Sequence, residues 1–449
     1  MGTRLIRLLC ALLLVCTACS SPASKDSTDS TDPTDPTDPP KRSGPCVAGF
    51  TCTTLRVPLG VDDQTLDLAV AAANNVDAPR GVLLMLTGGP GQPGVSLLAR
   101  VRNNLHPDVL REYRLVMFDQ RGTGSSGINC SSLQAAIGGS DFLTAPAGTV
   151  EDCAQRIGQG VGYYGTPDTV EDIERLRQHL GVERLTLNGT SYGSFTAAQY
   201  GLKYPDRVSS LVLDSVVPHK GFDPFGVDLM AATGGVLKAA CRQDPACTTD
   251  PVADLAWLVQ HGSVDGPELL ESLSISSLNT VNPSLKGIPA TLHAARNGDD
   301  AGLKEFLQSV SSKGIGYDVL SAGLHLATLC SDLRIPWAGG AVSTLETAVR
   351  RLDPKQLYPY DVQTARQQLI VDGCLRWPAA RMSTYPAAAE LLPRTLILHG
   401  SNDLFCPVEW ARWELAHAQS AQLVVVPGSG HGVQRDPRGR EAARAFLLG

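Results

Sequence analysis

The sequence predicts an α/β fold on a mostly parallel central sheet, with a large helix-leaning segment inserted before the last strands. Three observations carry this. Short apolar runs end repeatedly in Gly-rich or polar turns. Several of those runs are continuous Leu, Val and Ile, as strands buried on both faces require. Helical patterns lie between them, and strands alternating with helices make parallel sheets.

In chain order the runs are Val82–Leu86 before TGGPG, Arg114–Phe118 before DQRG, and 184–187 before NGTSYG. Then come 210–213, 395–398 before HGSND, and 422–426 before PGSGHG. Between them, residues 169–180 (TVEDIERLRQHL) carry acids in the first turn and Gly181 just past the end, the start and stop signals of a helix. Ligands of such sheets bind at the carboxyl ends of the strands, where these turns lie. The rhythm breaks over residues 218–387, which are loop-rich and helix-leaning and hold Cys241, Cys247, Cys330 and Cys374. Strands of the earlier type resume at Leu396. Residues 218–387 therefore read as a cap inserted into a core whose two parts are 46–217 and 388–449.

The N-terminus points to export. Arg4 and Arg7 precede an apolar run from Leu8 to Val15, about half the ~20 residues a membrane-spanning helix needs, so 1–18 reads as a cleaved signal. Cys16-Thr17-Ala18-Cys19 resembles a bacterial lipoprotein box, with Cys19 the lipidated residue and Cys16 where Leu is usual. Plain secretion is the alternative. Residues 19–45, including TDPTDPTDPP, have nothing to bury and read as an extended tether. A lipid at Cys19 would be the sole membrane contact, since no other apolar stretch is long enough to span a bilayer.

Of 12 cysteines, eight can form four disulfides in an oxidising compartment: Cys46, Cys52, Cys130, Cys153, Cys241, Cys247, Cys330 and Cys374. Pairing neighbours gives 46–52, 130–153, 241–247 and 330–374, one of many possible connectivities. Cys406 is left over. The mature segment has no C-x-x-C and no Cys/His cluster at ligand spacing, so no metal and no cofactor is implied. A net charge of −7 without a dense basic patch disfavours nucleic acid as a partner.

The chemistry-bearing motif is Gly189-Thr190-Ser191-Tyr192-Gly193. A strand leads into it and an amphipathic run leads out, the strand–turn–helix setting of a nucleophile elbow. A serine hydroxyl needs a base, and the order Ser…Asp…His fits Ser191, Asp403 and His431, the latter two just past successive strands. In this reading His431 takes the serine proton and Asp403 fixes its tautomer. Asp214, after LVLD, is the rival acid, and His399 is read as packing beneath the site. Gly88 and Gly89 lie in the glycine loop, and the Gly89 and Tyr192 amides form the candidate oxyanion hole. The Asp119–Gln120–Arg121 loop is read as a buried ion-paired element shaping the site.

Together, TGGPGQPG, VMFDQRGTGSSG, NGTSYGSFTAAQYGLKYPDRV, HGSNDLFCP and GSGHGV resemble the α/β-hydrolase serine peptidases of the prolyl aminopeptidase and secreted tripeptidyl aminopeptidase group. In the cap the resemblance is limited to ATLCSDL and DGCLRWP. It implies an α/β-hydrolase fold, peptide substrates cleaved near a free N-terminus, and Ser191, Asp403 and His431 as the triad. Thr87 stands where prolyl aminopeptidases have His, and Cys406 where the secreted branch has Thr. Cys406 is read as an apolar stand-in, with a reactive thiol as the sharper alternative. Such exopeptidases need a carboxylate for the substrate ammonium, and Asp332 is the candidate. An esterase or lipase on the same triad is the alternative function, and an inactive hydrolase-fold binding protein a third. Oligomeric state is left open.

Overall fold

Eight strands form one sheet in the order β1-β2-β4-β3-β5-β6-β7-β8. They are β1 Phe50–Pro58, β2 Thr65–Ala73, β3 Val82–Leu86, β4 Arg114–Phe118, β5 Leu185–Thr190, β6 Val208–Asp214, β7 Thr395–Gly400 and β8 Ala421–Val426. The computed structural model describes residues 47–245, 247–281, 285–379, 381–384 and 389–449, all within one compact unit. The signal, Cys19, the tether and Cys46 lie outside the described residues.

Every pairing from β4 to β8 is parallel, whereas β1–β2 and β2–β4 are antiparallel. The six apolar runs of the sequence are β3 to β8. The sequence reading missed β1 and β2, whose mixed polar and apolar residues suit an edge hairpin rather than a doubly buried strand. The first long helix begins at Thr166 rather than 169, since Pro167 occupies its first turn.

Strand alternation explains why the central runs are wholly apolar. Val82, Leu84 and Leu86 pack with Ile173, Leu176 and Ala197 of helices on one face. Leu83 and Met85 pack with Leu98, Val109 and Phe446 on the other. Successive side chains point to opposite faces, and here both faces are covered. Each buried Leu or Val contributes roughly 1.5–3 kcal/mol.

Between β6 and β7 the described residues hold ten helices and no named strand. They surround a separate apolar cluster that includes Leu229, Leu326, Trp337 and Trp377. Side chains of Asp250, Asp265, Ser321 and Asp361 cap four of these helices by accepting free N–H groups of the first turn. Disulfides 130–153, 241–247 and 330–374 are formed, matching three of the four neighbour pairs. Cys52 is disulfide-bonded as well.

Candidate active site

The elbow is a steric construction. Ser191 sits between β5 and the helix Tyr192–Lys203 at φ +58° and ψ −128°, a strained conformation for a residue with a Cβ. Its N–H donates to the Asp214 carbonyl at 2.9 Å, and its carbonyl accepts from the Ser194 hydroxyl at 2.6 Å. A Cβ on Gly189 would lie 2.1 Å from the Gly193 carbonyl oxygen, and one on Gly193 would lie 2.4 Å from that of Leu86. The two glycines let helix, elbow and β3 approach this closely, so the G-x-S-x-G spacing follows from packing. A Cβ on Gly88 would meet the Ser191 Cβ at 2.8 Å, which sets the glycine loop against the nucleophile.

Asp403 follows β7 and His431 follows β8. The His431 Nδ1 lies 3.0 and 2.9 Å from the two Asp403 carboxylate oxygens. Asp403 is buried and also accepts from the N–H groups of Phe405 at 2.9 Å and Cys406 at 3.0 Å. Burial alone would raise its carboxyl, but the charge and hydrogen bond of His431 hold it below the ordinary Asp value. An ionised Asp403 accepting from Nδ1–H selects the tautomer whose Nε2 can take a proton. Ser191 and His431 line one cavity of about 470 Å³, together with Gly88, Gly89 and Tyr192.

Asp403, and not the rival Asp214, is hydrogen-bonded to His431. The Asp214 oxygens accept from the N–H groups of Val433 at 2.7 Å and Gln434 at 3.0 Å, just beyond His431. Burial pushes its carboxyl up, and its work is to hold the histidine loop. The insertion braces the same loop: His431 N–H donates to the Ser277 carbonyl, Gly430 N–H to that of Thr280, and the Thr280 hydroxyl to the His431 carbonyl. Sequence patterning gave no signal for Ser277 or Thr280, because their partners are backbone atoms far along the chain. His399 is buried in β7, and burial lowers its pKa.

The assignment of Asp332 to the substrate amine needs correcting. Asp332 is buried and accepts from Tyr192 OH at 2.7 Å, Ser383 Oγ at 2.5 Å and Thr166 N–H at 3.0 Å. It does not line the cavity and serves as a structural clasp. The carboxylates that do line it are Asp141, Asp214 and Asp223. Arg121 pairs with Asp172 at 2.7 and 2.8 Å, both buried, as the ion-paired loop was expected to do.

Cys406 is a buried free thiol. Burial, with Asp403 nearby, pushes it well above the ordinary thiol value, so it stays protonated and packs as a small apolar group. Asp403, Cys406 and His431 each offer a ligand atom within 4.8 Å of one another, but the Asp403–His431 bond and the protonated thiol engage that donor set. Among the described residues no helix is long and apolar enough to cross a membrane.

Residues 81–252 match the family model for the alpha/beta hydrolase fold, and residues 358–448 match that for TAP-like proteins. The tripeptidyl aminopeptidase of Streptomyces lividans is 32% identical over 160 residues, 31% of this chain and 29% of that protein. Serine protease Hip1 of Mycobacterium tuberculosis is 28% identical over 241 residues, 48% of this chain and 46% of that protein. A Mycobacterium tuberculosis protein named carboxylesterase B is 26% identical over 429 residues, 85% of this chain and 80% of that one. The chain thus spans less than a third of the length of the first relative and under half of the second. An elbow serine, a carboxylate-held histidine and a glycine loop on this sheet, with these matches, give the chain the α/β-hydrolase fold, and its residues 358–448 are similar to TAP-like proteins.

Proposed function

We propose that the protein is an exported serine exopeptidase that releases short peptides from free N-termini through an acyl-enzyme. The observation that carries the reading is the Ser191, His431 and Asp403 constellation opening into a cavity walled by the helical insertion. Ser191 Oγ attacks the scissile carbonyl as His431 takes its proton, and His431 then protonates the leaving amine. Asp403 keeps the imidazole oriented and stabilises its charged form. The Gly89 and Tyr192 amides receive the oxyanion; each such donor is worth roughly 10²–10³ in rate.

The preference for a free N-terminus rests on Asp223. It lines the cavity, accepts from the Val227 N–H at 3.1 Å, and has no salt bridge among the described residues. Burial, with the nearby negative Asp228, raises its carboxyl, and a substrate ammonium would supply the missing counter-charge. The disulfides support an oxidising compartment, and the sequence of residues 1–19 supports an export signal with lipid at Cys19.

A second reading is carboxylester hydrolysis, favoured by the relative named carboxylesterase B, which matches over most of both chains. A chromogenic tripeptide amide with a free N-terminus, compared with its N-acetyl twin, separates the two. Turnover of the free form alone supports the exopeptidase. Intact amides beside a cleaved short-chain ester would overturn it. Asp223→Asn should raise KM for the free amide about 10-fold or more, with kcat little changed.

A further inference from the structure

We propose that His325, held as an imidazolium between the Pro90 carbonyl and the Asp141 carboxylate, is a positioning residue that fixes the oxyanion loop. The inference rests on the reading of Ser191 as the nucleophile and Gly89 as an oxyanion donor.

His325 lies in the first turn of the helix Ala322–Asp332, 1% exposed. Its Nδ1 is 2.8 Å from the carbonyl oxygen of Pro90, and its Nε2 is 2.7 Å from Asp141 Oδ1. A backbone carbonyl only accepts, so Nδ1 must carry a hydrogen. A carboxylate on the opposite side calls for a second hydrogen at Nε2. A neutral imidazole has one N–H, and one of these contacts would then set a lone pair against an acceptor oxygen. Two acceptors on opposite sides of the ring therefore select the cation.

Pro90 is the residue after Gly89, so the His325 bond fixes the peptide that follows the proposed oxyanion donor. The neighbouring Ser321 N–H donates to the Gly91 carbonyl at 2.9 Å. A Cβ on Gly91 would lie 2.8 Å from the Ser321 carbonyl oxygen, so this seam is tightly closed. On its sheet side, the loop is tied to itself by Thr87 Oγ1 to the Gln92 carbonyl at 2.8 Å and Gly88 N–H to Gln92 Oε1 at 3.2 Å, and to the turn after β4 by Gln120 Nε2, which donates to the Gln92 carbonyl at 3.2 Å. The helical insertion thus holds the loop through Ser321 and His325.

The ionisable group facing His325 is Asp141, on the loop after residue 138; Pro90, Gly91 and Ser321 face it with neutral groups. Asp141 lines the cavity, its side chain 22% exposed, and has Glu271 and Cys406 within electrostatic reach. Burial alone would lower the His325 pKa. The Asp141 charge, its hydrogen bond and the Pro90 carbonyl outweigh burial and raise it. A raised folded-state pKa means the charged clasp persists at neutral pH and is lost as pH rises through that value, when the neutral ring can no longer donate to both acceptors. Its loss would misplace the oxyanion donor. That lowers kcat and leaves KM nearly unchanged, because the oxyanion exists only in the transition state.

The test combines 15N-histidine NMR of the mature chain with pH profiles of kcat and KM for wild type, Asp141→Asn and His325→Gln. A short-chain ester is the substrate, since esters and amides share the oxyanion. Failure of the free-N-terminus preference would then sink the exopeptidase reading and leave this inference standing. At neutral pH the wild type should show one histidine with both ring nitrogens protonated, absent from His325→Gln. Asp141→Asn should move the alkaline limb of kcat toward acid by about one unit, with the acid limb unmoved. His325→Gln should lose about 10-fold or more in kcat, with KM within about threefold. A singly protonated His325 in the wild type, or an Asp141→Asn profile superimposable on the wild type, overturns the proposal.

Discussion

The sheet and the helical insertion divide the labour differently. The sheet presents Ser191, Asp403 and His431, the proposed nucleophile, acid and base, on turns at the ends of β5, β7 and β8; β5 and β7 are buried on both faces, and β8 is the partly exposed edge strand. None of these three residues lies in the insertion. It supplies Ser277 and Thr280 against the histidine loop, His325 and Ser321 against the glycine loop, and Asp223 on the cavity wall. On the proposed reading, the difference teaches where chemistry and control lie: the reactive groups sit at strand ends, and their aim is set from across the cavity.

Substitutions can break or sharpen that contrast. The largest effect is expected on the sheet side: Ser191→Ala should cut turnover by about 10⁴-fold or more with an unchanged melting temperature. Asp403→Asn should cost about 10⁴-fold in kcat, because the wrong histidine tautomer is then favoured. Its carboxyl is held below the unfolded value, so ionised Asp403 stabilises the fold above about pH 3.9. The stability gap between wild type and Asp403→Asn should therefore close as pH falls below that, as denaturation across pH would show.

Structural ties should behave in the opposite way. Asp172→Asn leaves the Arg121 guanidinium buried without its bidentate partner and should cost about 3–5 kcal/mol in urea unfolding. Activity should persist below the transition. Thr280→Ala, across the boundary, should lower kcat by about 10-fold through a loosened His431 with little loss of stability. Smallest of all, Cys406→Ala should change kcat by less than about threefold, and the native enzyme should resist iodoacetamide, since the thiol is buried and protonated.

The same contrast explains what could be read from the sequence. Continuous apolar runs such as VLLML and the motif NGTSYG announce central strands and an elbow because burial on both faces and steric contact leave few other residues possible. β1 and β2 went unread because an edge hairpin tolerates Thr, Arg and Asp. In the insertion, Asp332 was singled out through the matching segment ATLCSDL. Its partners Tyr192, Thr166 and Ser383 are distant in sequence, and only the fold brings them to it. Asp223 and His325 were silent for the same reason: their roles depend on which backbone atoms and cavity walls they meet.

The most direct measurement is covalent trapping with a fluorophosphonate probe, read by intact-mass and peptide spectrometry. The account predicts a single adduct on Ser191 in the wild type, none in Ser191→Ala, and strongly slowed labelling in Asp403→Asn. An adduct on another residue, or undiminished turnover by Ser191→Ala, would contradict it.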